Sequence, residues 1–141
     1  MEPLAEELYA YLKSFLTPNR AALFEEVLLE RTRHIVVAVE DLSKEQNASA
    51  VVRTCDCFGI QELHIVEENN SYRVSNHIAK GAEKWLDITT YHQEENNSQA
   101  CLKTLKEKGY TIVATSPGVK QFSPTNLPLD KPIALFFGGE R

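Results

Sequence analysis

The sequence has no apolar run approaching the roughly 20 residues that a membrane-spanning helix needs. Its first residues, Met1-Glu2-Pro3-Leu4-Ala5-Glu6-Glu7, carry acid where a secretion signal needs base, and no long apolar core follows. Cysteine is scarce. Cys55, Cys57 and Cys101 are odd in number and lack the spacing of a disulfide framework or of a CxxC metal clamp. They are expected to be free thiols in the core, and no metal site is expected. A P-loop, a G-x-S-x-G elbow and an H-E-x-x-H helix are all missing, so nothing supports a small phosphate-binding hydrolase. No internal repeat or low-complexity stretch occurs. These absences point to a cytoplasmic globular domain with no membrane contact.

Basic excess is missing too. The formal net charge is -5, which argues against a nucleic-acid partner because phosphate binding favours a basic face. A local patch or a basic partner subunit can still supply the field while the total stays acidic. What is present is ordinary for a folded protein: 141 residues, 43% of them hydrophobic and 25% charged, enough for one compact core.

Apolar residues at Leu4, Leu8, Tyr11, Leu12 and Phe15 have helical spacing, and Pro3 suits a first turn. Thr17-Pro18 reads as an N-cap followed by a proline at the first helical position, opening a second helix to about Glu30 with Leu23, Phe24, Val27 and Leu28 as its stripe. Residues 1–33 are thus expected to form a helical extension, and 34–141 the main domain. Ile35 to Val39 is a β-branched run suited to a strand buried on both faces. Strands are expected near 34–39, 62–66, 88–91, 111–115 and 132–137, and helices near 47–58 and 97–108, closed by Gly59 and Gly109. Alternation of this kind implies βαβ units, a parallel sheet and helices on both faces. Ligands in such sheets bind beyond the carboxyl ends of the strands. The segments to watch are therefore Glu40 to Asn47, Thr115 to Gly118 and Gly138 to Arg141. A chain ending at the tip of an apolar strand also leads us to expect a further helix and strand beyond it.

Three features could carry chemistry. Arg53 sits on a helix, Asn47 to Phe58, otherwise made of small and apolar residues; such a helix should be largely buried, and a buried guanidinium needs partners. A structural bridge to Asp56, at i, i+3, would satisfy it without any catalytic role. Gly138-Gly139 follow a buried strand and would let backbone approach a ligand closely, or simply end the strand in a turn. Ala114-Thr115-Ser116 are small residues at another strand end.

Together these residues have a family likeness. Asn47, Ala50, Arg53, Thr54, Asp56 and Gly59 resemble the first motif, N-x-x-A-x-x-R-T-x-D-x-x-G, of the SpoU–TrmH branch of the SPOUT methyltransferases. Phe137-Gly138-Gly139-Glu140 resembles the opening of the second motif, and Gly81 to Trp85 a G-x-x-K-W segment of enzymes that methylate guanosine in the tRNA D-loop. The likeness covers about residue 31 onward. The third motif, a Ser-Leu-Asn stretch that passes through a loop to tie a trefoil knot, is absent, so the knot segment is expected to be missing from this chain.

The resemblance implies a Rossmann-like parallel α/β sheet of the SPOUT type. It implies methyl transfer from S-adenosyl-L-methionine to a ribose 2′-hydroxyl of tRNA, by a homodimer. That hydroxyl needs a base or a charge to make it nucleophilic. The resemblance gives this work to Arg53, acting with a substrate phosphate; since an arginine stays charged, a phosphate-binding or electrostatic role is the alternative. It gives Asn47 a positioning role and makes Glu140 the acid that orders the site. Ala114, Thr115, Ser116, Gly138 and Gly139 would line the cofactor pocket. Arg20, Arg31, Arg33 and Lys84 are candidate RNA contacts, though solvated helix surface is the plainer reading of the three arginines. The alternative to an enzyme is a Rossmann-like fragment that binds RNA without catalysis.

Overall fold

The structure, a computed structural model, describes residues 3–116, 123 and 125–139. It divides into two compact units, one ending at Arg31 and the other beginning at Thr32. The boundary falls two residues earlier than the change of pattern at His34 suggests. Thr32 already bridges Ile60 in parallel, its amide donating to the Gly59 carbonyl at 2.7 Å.

The first unit is a pair of helices, α1 (Pro3–Lys13) and α2 (Pro18–Leu29). The Thr17 hydroxyl accepts from the Arg20 amide at 3.4 Å, and Pro18 occupies the first turn, where its missing N–H costs nothing. Glu25 joins the helices, accepting from the Tyr9 hydroxyl at 2.9 Å and from the Lys13 ammonium. The helical periodicity of α1 is real, yet its apolar stripe is exposed: Leu4 is 76% and Phe15 70% accessible. Among the described residues of this unit only Ala21 is buried. Two helices of this length cannot enclose a core alone.

The second unit is a five-stranded sheet flanked by helices on both faces. Its elements are β1 (Ile35–Glu40), α3 (Glu45–Cys57), β2 (Glu62–Val66), α4 (Asn76–Ala79), a 3-10 turn (Ala82–Trp85), β3 (Asp87–Tyr91), α5 (Asn97–Glu107), β4 (Thr111–Ala114) and β5 (Ile133–Phe137). The order is β3-β2-β1-β5-β4, and every pairing is parallel. Val36, Val37, Ala38 and Val39 of central β1 are all buried, as a strand covered on both faces requires.

Because strand side chains alternate, β1 feeds two cores. Val37 and Val39 pack with Leu63, Ile65, Val52 and Cys55 beneath α3. Val36 and Ala38 pack with Cys101, Leu105, Ala134 and Phe136 beneath α5. Gly59 and Gly109 take positive φ, 68° and 87°, just past the ends of α3 and α5, where a side chain would be strained.

Several expectations need correction. Helix α3 begins at Glu45 rather than Asn47, because the Asn47 and Ala48 amides both already donate to the Lys44 carbonyl. It is not largely buried: Ala48, Ser49, Val52 and Cys55 face the core, and Arg53 is exposed. Cys57 is exposed while Cys55 and Cys101 are buried, since two residues along a helix turn the side chain by about 200°. The stretch after β2 also contains α4, a single turn that its polar sequence hides. Among the described residues no helix is long and apolar enough to cross a membrane.

Candidate active site at the strand ends

The chain runs β1-β2-β3 toward one edge, crosses to the other for β4, and returns with β5 beside β1. The direction of winding thus reverses between β1 and β5, and a ligand crevice is expected beyond their carboxyl ends. What lies there is Glu40-Asp41 at the end of β1, Ala114-Thr115-Ser116 at the end of β4 and Gly138-Gly139 after β5.

These ends are tightly joined. Ala114 is the register partner of Phe136, and the Thr115 amide donates to the Phe136 carbonyl at 3.0 Å. The Gly139 backbone crosses the β1 end so closely that a Cβ there would stand 3.0 Å from the Glu40 carbonyl oxygen and 3.1 Å from that of Asp41. At Gly138 a Cβ would meet nothing nearer than the Glu40 Oε2, at 3.9 Å. Only the second glycine is therefore demanded by packing. The Glu40 carboxylate accepts from the Ser98 hydroxyl, whose single proton is shared with Glu68 Oε1, 3.1 Å from the same oxygen.

Asp41 is a non-glycine residue at φ 51°. Its Oδ1 accepts from the Asn69 and Asn70 amides, each at 2.8 Å, and its Oδ2 from the Asn69 side-chain amide at 3.3 Å. Partial desolvation works to raise the carboxyl pKa, but those amide donors outweigh it and hold the group below its ordinary value. Glu40 and Asp41 fall in the segment that the strand-end argument marked, although no motif names them; nothing in the sequence marked the 69–70 turn.

Between α3 and β5 lies a cleft of about 450 Å³. Its walls include Val39, Val51, Leu135 and Phe137, and Asp41 and Asn47 are among its polar lining. Asn47 therefore shares a cleft with residues of the β1 and β5 ends. Arg53 does not line the cleft. Among the described residues no ion pair or hydrogen bond engages its guanidinium, so the structural bridge to Asp56 is not formed.

The remaining candidates are dispersed. Lys84 is exposed on the 3-10 turn. Arg33 is committed to acids, donating to Glu62 and Asp87. Arg20 and Arg31 belong to the helical unit, where the Arg20 guanidinium lies 5.6 Å from the centroid of the Phe24 ring. Glu140, Arg141 and the Pro117-Gly118 turn lie outside the described residues. Burial pushes the Cys101 thiol up to about 12, which leaves it inert. Among the described residues no cluster of three or more His, Cys, Asp or Glu could hold a metal.

A parallel, Rossmann-like α/β domain, with small residues at a switch point and the Asn47–Arg53 helix beside it, is the class that the fold defines. The chain belongs, more narrowly, to the SpoU rRNA Methylase family, which matches residues 34–141. It is 33% identical over 129 residues to the tRNA (guanosine(18)-2′-O)-methyltransferase of Borreliella burgdorferi, covering 92% of this chain and 57% of that protein. It superposes on the TrmH/SpoU tRNA modifying enzyme of Aquifex aeolicus with a TM-score of 0.72 and 30% identity, covering 86% of this chain and 60% of that one. The SpoU methyltransferase AviRb of Streptomyces viridochromogenes, solved in complex with AdoMet, shares the fold at a TM-score of 0.52 and 16% identity, over 78% of this chain and 44% of that one. The chain thus spans about three fifths of the length of its nearer relatives.

Proposed function

We propose that this chain serves the S-adenosyl-L-methionine-dependent methylation of a guanosine ribose 2′-hydroxyl in tRNA. The observation that carries the reading is the placement of the first-motif helix. Helix α3 sets Asn47 at the switch-point cleft and leaves Arg53 exposed, with no acid engaging it among the described residues. A guanidinium kept clear of carboxylates is available to a phosphate, which it can hold with two parallel hydrogen bonds.

The residues at the β4 and β5 ends fit the adenosyl half of the cofactor. Ala114, Ser116 and Gly138 are exposed and small, and a Cβ at Gly138 would meet only the Glu40 Oε2, at 3.9 Å. Ala114 to Ser116 would hold it from one side and Gly138-Gly139 from the other, chiefly through backbone. When bound, the cofactor supplies an electrophilic methyl group. The chain's own residues do the rest. Asn47 orients the ribose, and Arg53 grips the neighbouring phosphate and stabilises negative charge as the 2′-hydroxyl gives its proton to solvent and its oxygen takes the methyl group. Glu140 keeps the ordering role that its motif implies. Arg20 and Lys84 extend the RNA contact, while Arg33, held by Glu62 and Asp87, serves the fold. The working form is a homodimer in the cytoplasm, where tRNA is modified.

The test is incubation with radiolabelled S-adenosylmethionine and an unmodified tRNA transcript, followed by digestion to nucleosides. Label should appear in 2′-O-methylguanosine. Label on a base instead, or tRNA binding with no transfer, rejects the reading; the second result would leave an RNA-binding module.

A further inference from the structure

Asp41 is one of two described non-glycine residues with positive φ, and the one at the strand ends. The left-handed region is unfavourable for a residue with a Cβ, and it persists only where surrounding contacts over-determine it. Here the contacts are specific. The Asp41 amide donates to the Val66 carbonyl at 2.8 Å, at the end of β2. Its carboxylate collects the Asn69 and Asn70 amides from the turn that follows. Its carbonyl oxygen and Cβ back the Gly139 main chain, 3.1 and 3.3 Å from where a Cβ would sit. One residue thus touches the carboxyl ends of β1, β2 and β5 together, and it shares the cleft lining with Asn47 and Gly138.

We propose that Asp41 is a positioning residue: its carboxylate clamp on the 69–70 turn fixes the β1–α3 loop, and through that loop sets Asn47 and the Gly138-Gly139 turn relative to each other. This deepens the methyl-transfer reading and rests on it for its purpose. The geometry itself is independent of that reading. Both backbone amides go to one oxygen, Oδ1. An asparagine keeps such an oxygen and tolerates the left-handed backbone, so charge is dispensable and acceptor position is not. Glycine accepts the backbone but has no acceptor. Glutamate keeps the charge but moves the acceptor by one methylene.

The experiment compares Asp41→Asn, Asp41→Gly and Asp41→Glu with the parent chain by amide NMR, with thermal melting in parallel. In Asp41→Asn the Asn69, Asn70 and Gly139 amides and the Asn47 side-chain amide should hold their positions. In Asp41→Gly and Asp41→Glu all four should move, while Cys101 and Leu105 in α5 stay in place. Should Asp41→Gly fail to fold, Asp41→Glu still decides. Shifts confined to Asn69 and Asn70 would overturn the proposal, reducing Asp41 to a local loop clasp. So would an Asp41→Asn spectrum that resembles Asp41→Gly. Titration with S-adenosylmethionine adds the functional arm: affinity should drop about tenfold in Asp41→Gly and Asp41→Glu and be kept in Asp41→Asn. A parent chain that binds no S-adenosylmethionine would count against the methyl-transfer reading alone, because the NMR comparison needs no ligand.

Discussion

Gly139 and Glu40 meet backbone to backbone: a Cβ on the glycine would stand 3.0 Å from the glutamate's carbonyl oxygen. Neither partner is a flexible side chain, so the clash cannot be relieved by a rotamer change. Gly139→Ala should therefore destabilise the domain by about 1–3 kcal/mol, the usual cost of overpacking. Gly138→Ala, with 3.9 Å to spare, should melt like the parent and instead weaken S-adenosylmethionine. Urea unfolding and calorimetric titration of the two variants check this. Equal stability loss in both would mean that the turn as a whole, and not one contact, sets the tolerance.

Arg53 presents the reverse case. It is exposed and no described acid engages it, so Arg53→Lys and Arg53→Ala should change stability by less than about 0.5 kcal/mol. If the proposed role is right, single-turnover methyl transfer should still fall by about 10²–10⁴ in both, since lysine lacks the planar fork. A near-parental rate for Arg53→Lys would leave only a charge to be explained.

The sheet was legible because buried parallel strands write themselves as apolar runs. Ile35 to Val39 and Ile133 to Phe137 could be little else, and Gly59 and Gly109 marked two helix ends by their backbone freedom. Asn47, Gly138 and Gly139 came from motif spacing, and the fold brings them to one place. What could not be read was anything decided by partners distant in sequence. The burial expected around Arg53 failed because α3 packs only one side. Arg33 looked like a free cation because Glu62 and Asp87 are 29 and 54 residues away. Asp41 carries no motif, and its role depends on amides at 69 and 70. Periodicity identified the stripe of α1 but could not say that it would be left exposed.

His64 should make the domain sensitive to mild acid. It is buried on β2, its Nδ1 lying 3.0 Å from the Tyr91 hydroxyl. Burial is the main cause that pushes its pKa below 6.5, joined by the charge of Lys108 and opposed by Glu62. The folded state thus prefers the neutral ring, and protons bind the unfolded chain more readily. The associated stability is complete above pH 6.5 and is lost as pH falls from there through the lower folded value. Glu62 and Asp41, also lowered, act in a separate and more acidic window, below their ordinary 4.5 and 3.8. Urea unfolding between pH 8 and 5.5 should show stability declining in the parent and a flatter profile in His64→Gln, which keeps a polar partner for Tyr91. Parallel profiles would remove His64 as the cause.

The arginines and lysine proposed to touch RNA divide by what already holds them. Arg33 donates to Glu62 and Asp87, and a phosphate would have to displace both. Glu62 would keep Lys108, at 2.8 Å, so the loss on Arg33→Ala is that of one exposed network member, about 1 kcal/mol at most. Its tRNA affinity should be unchanged. Arg20 and Lys84 have no acid engaging them among the described residues, and each is exposed. Arg20→Ala and Lys84→Ala should melt like the parent but bind tRNA more weakly. If each cation neutralises one phosphate, each replacement should lower the slope of log affinity against log salt by about 0.7–0.9. The measurement is tRNA binding across a salt series, with melting curves for each variant. A reduced slope in Arg33→Ala, or an unchanged one in both Arg20→Ala and Lys84→Ala, would reverse the assignment and place the RNA on the Arg33 face.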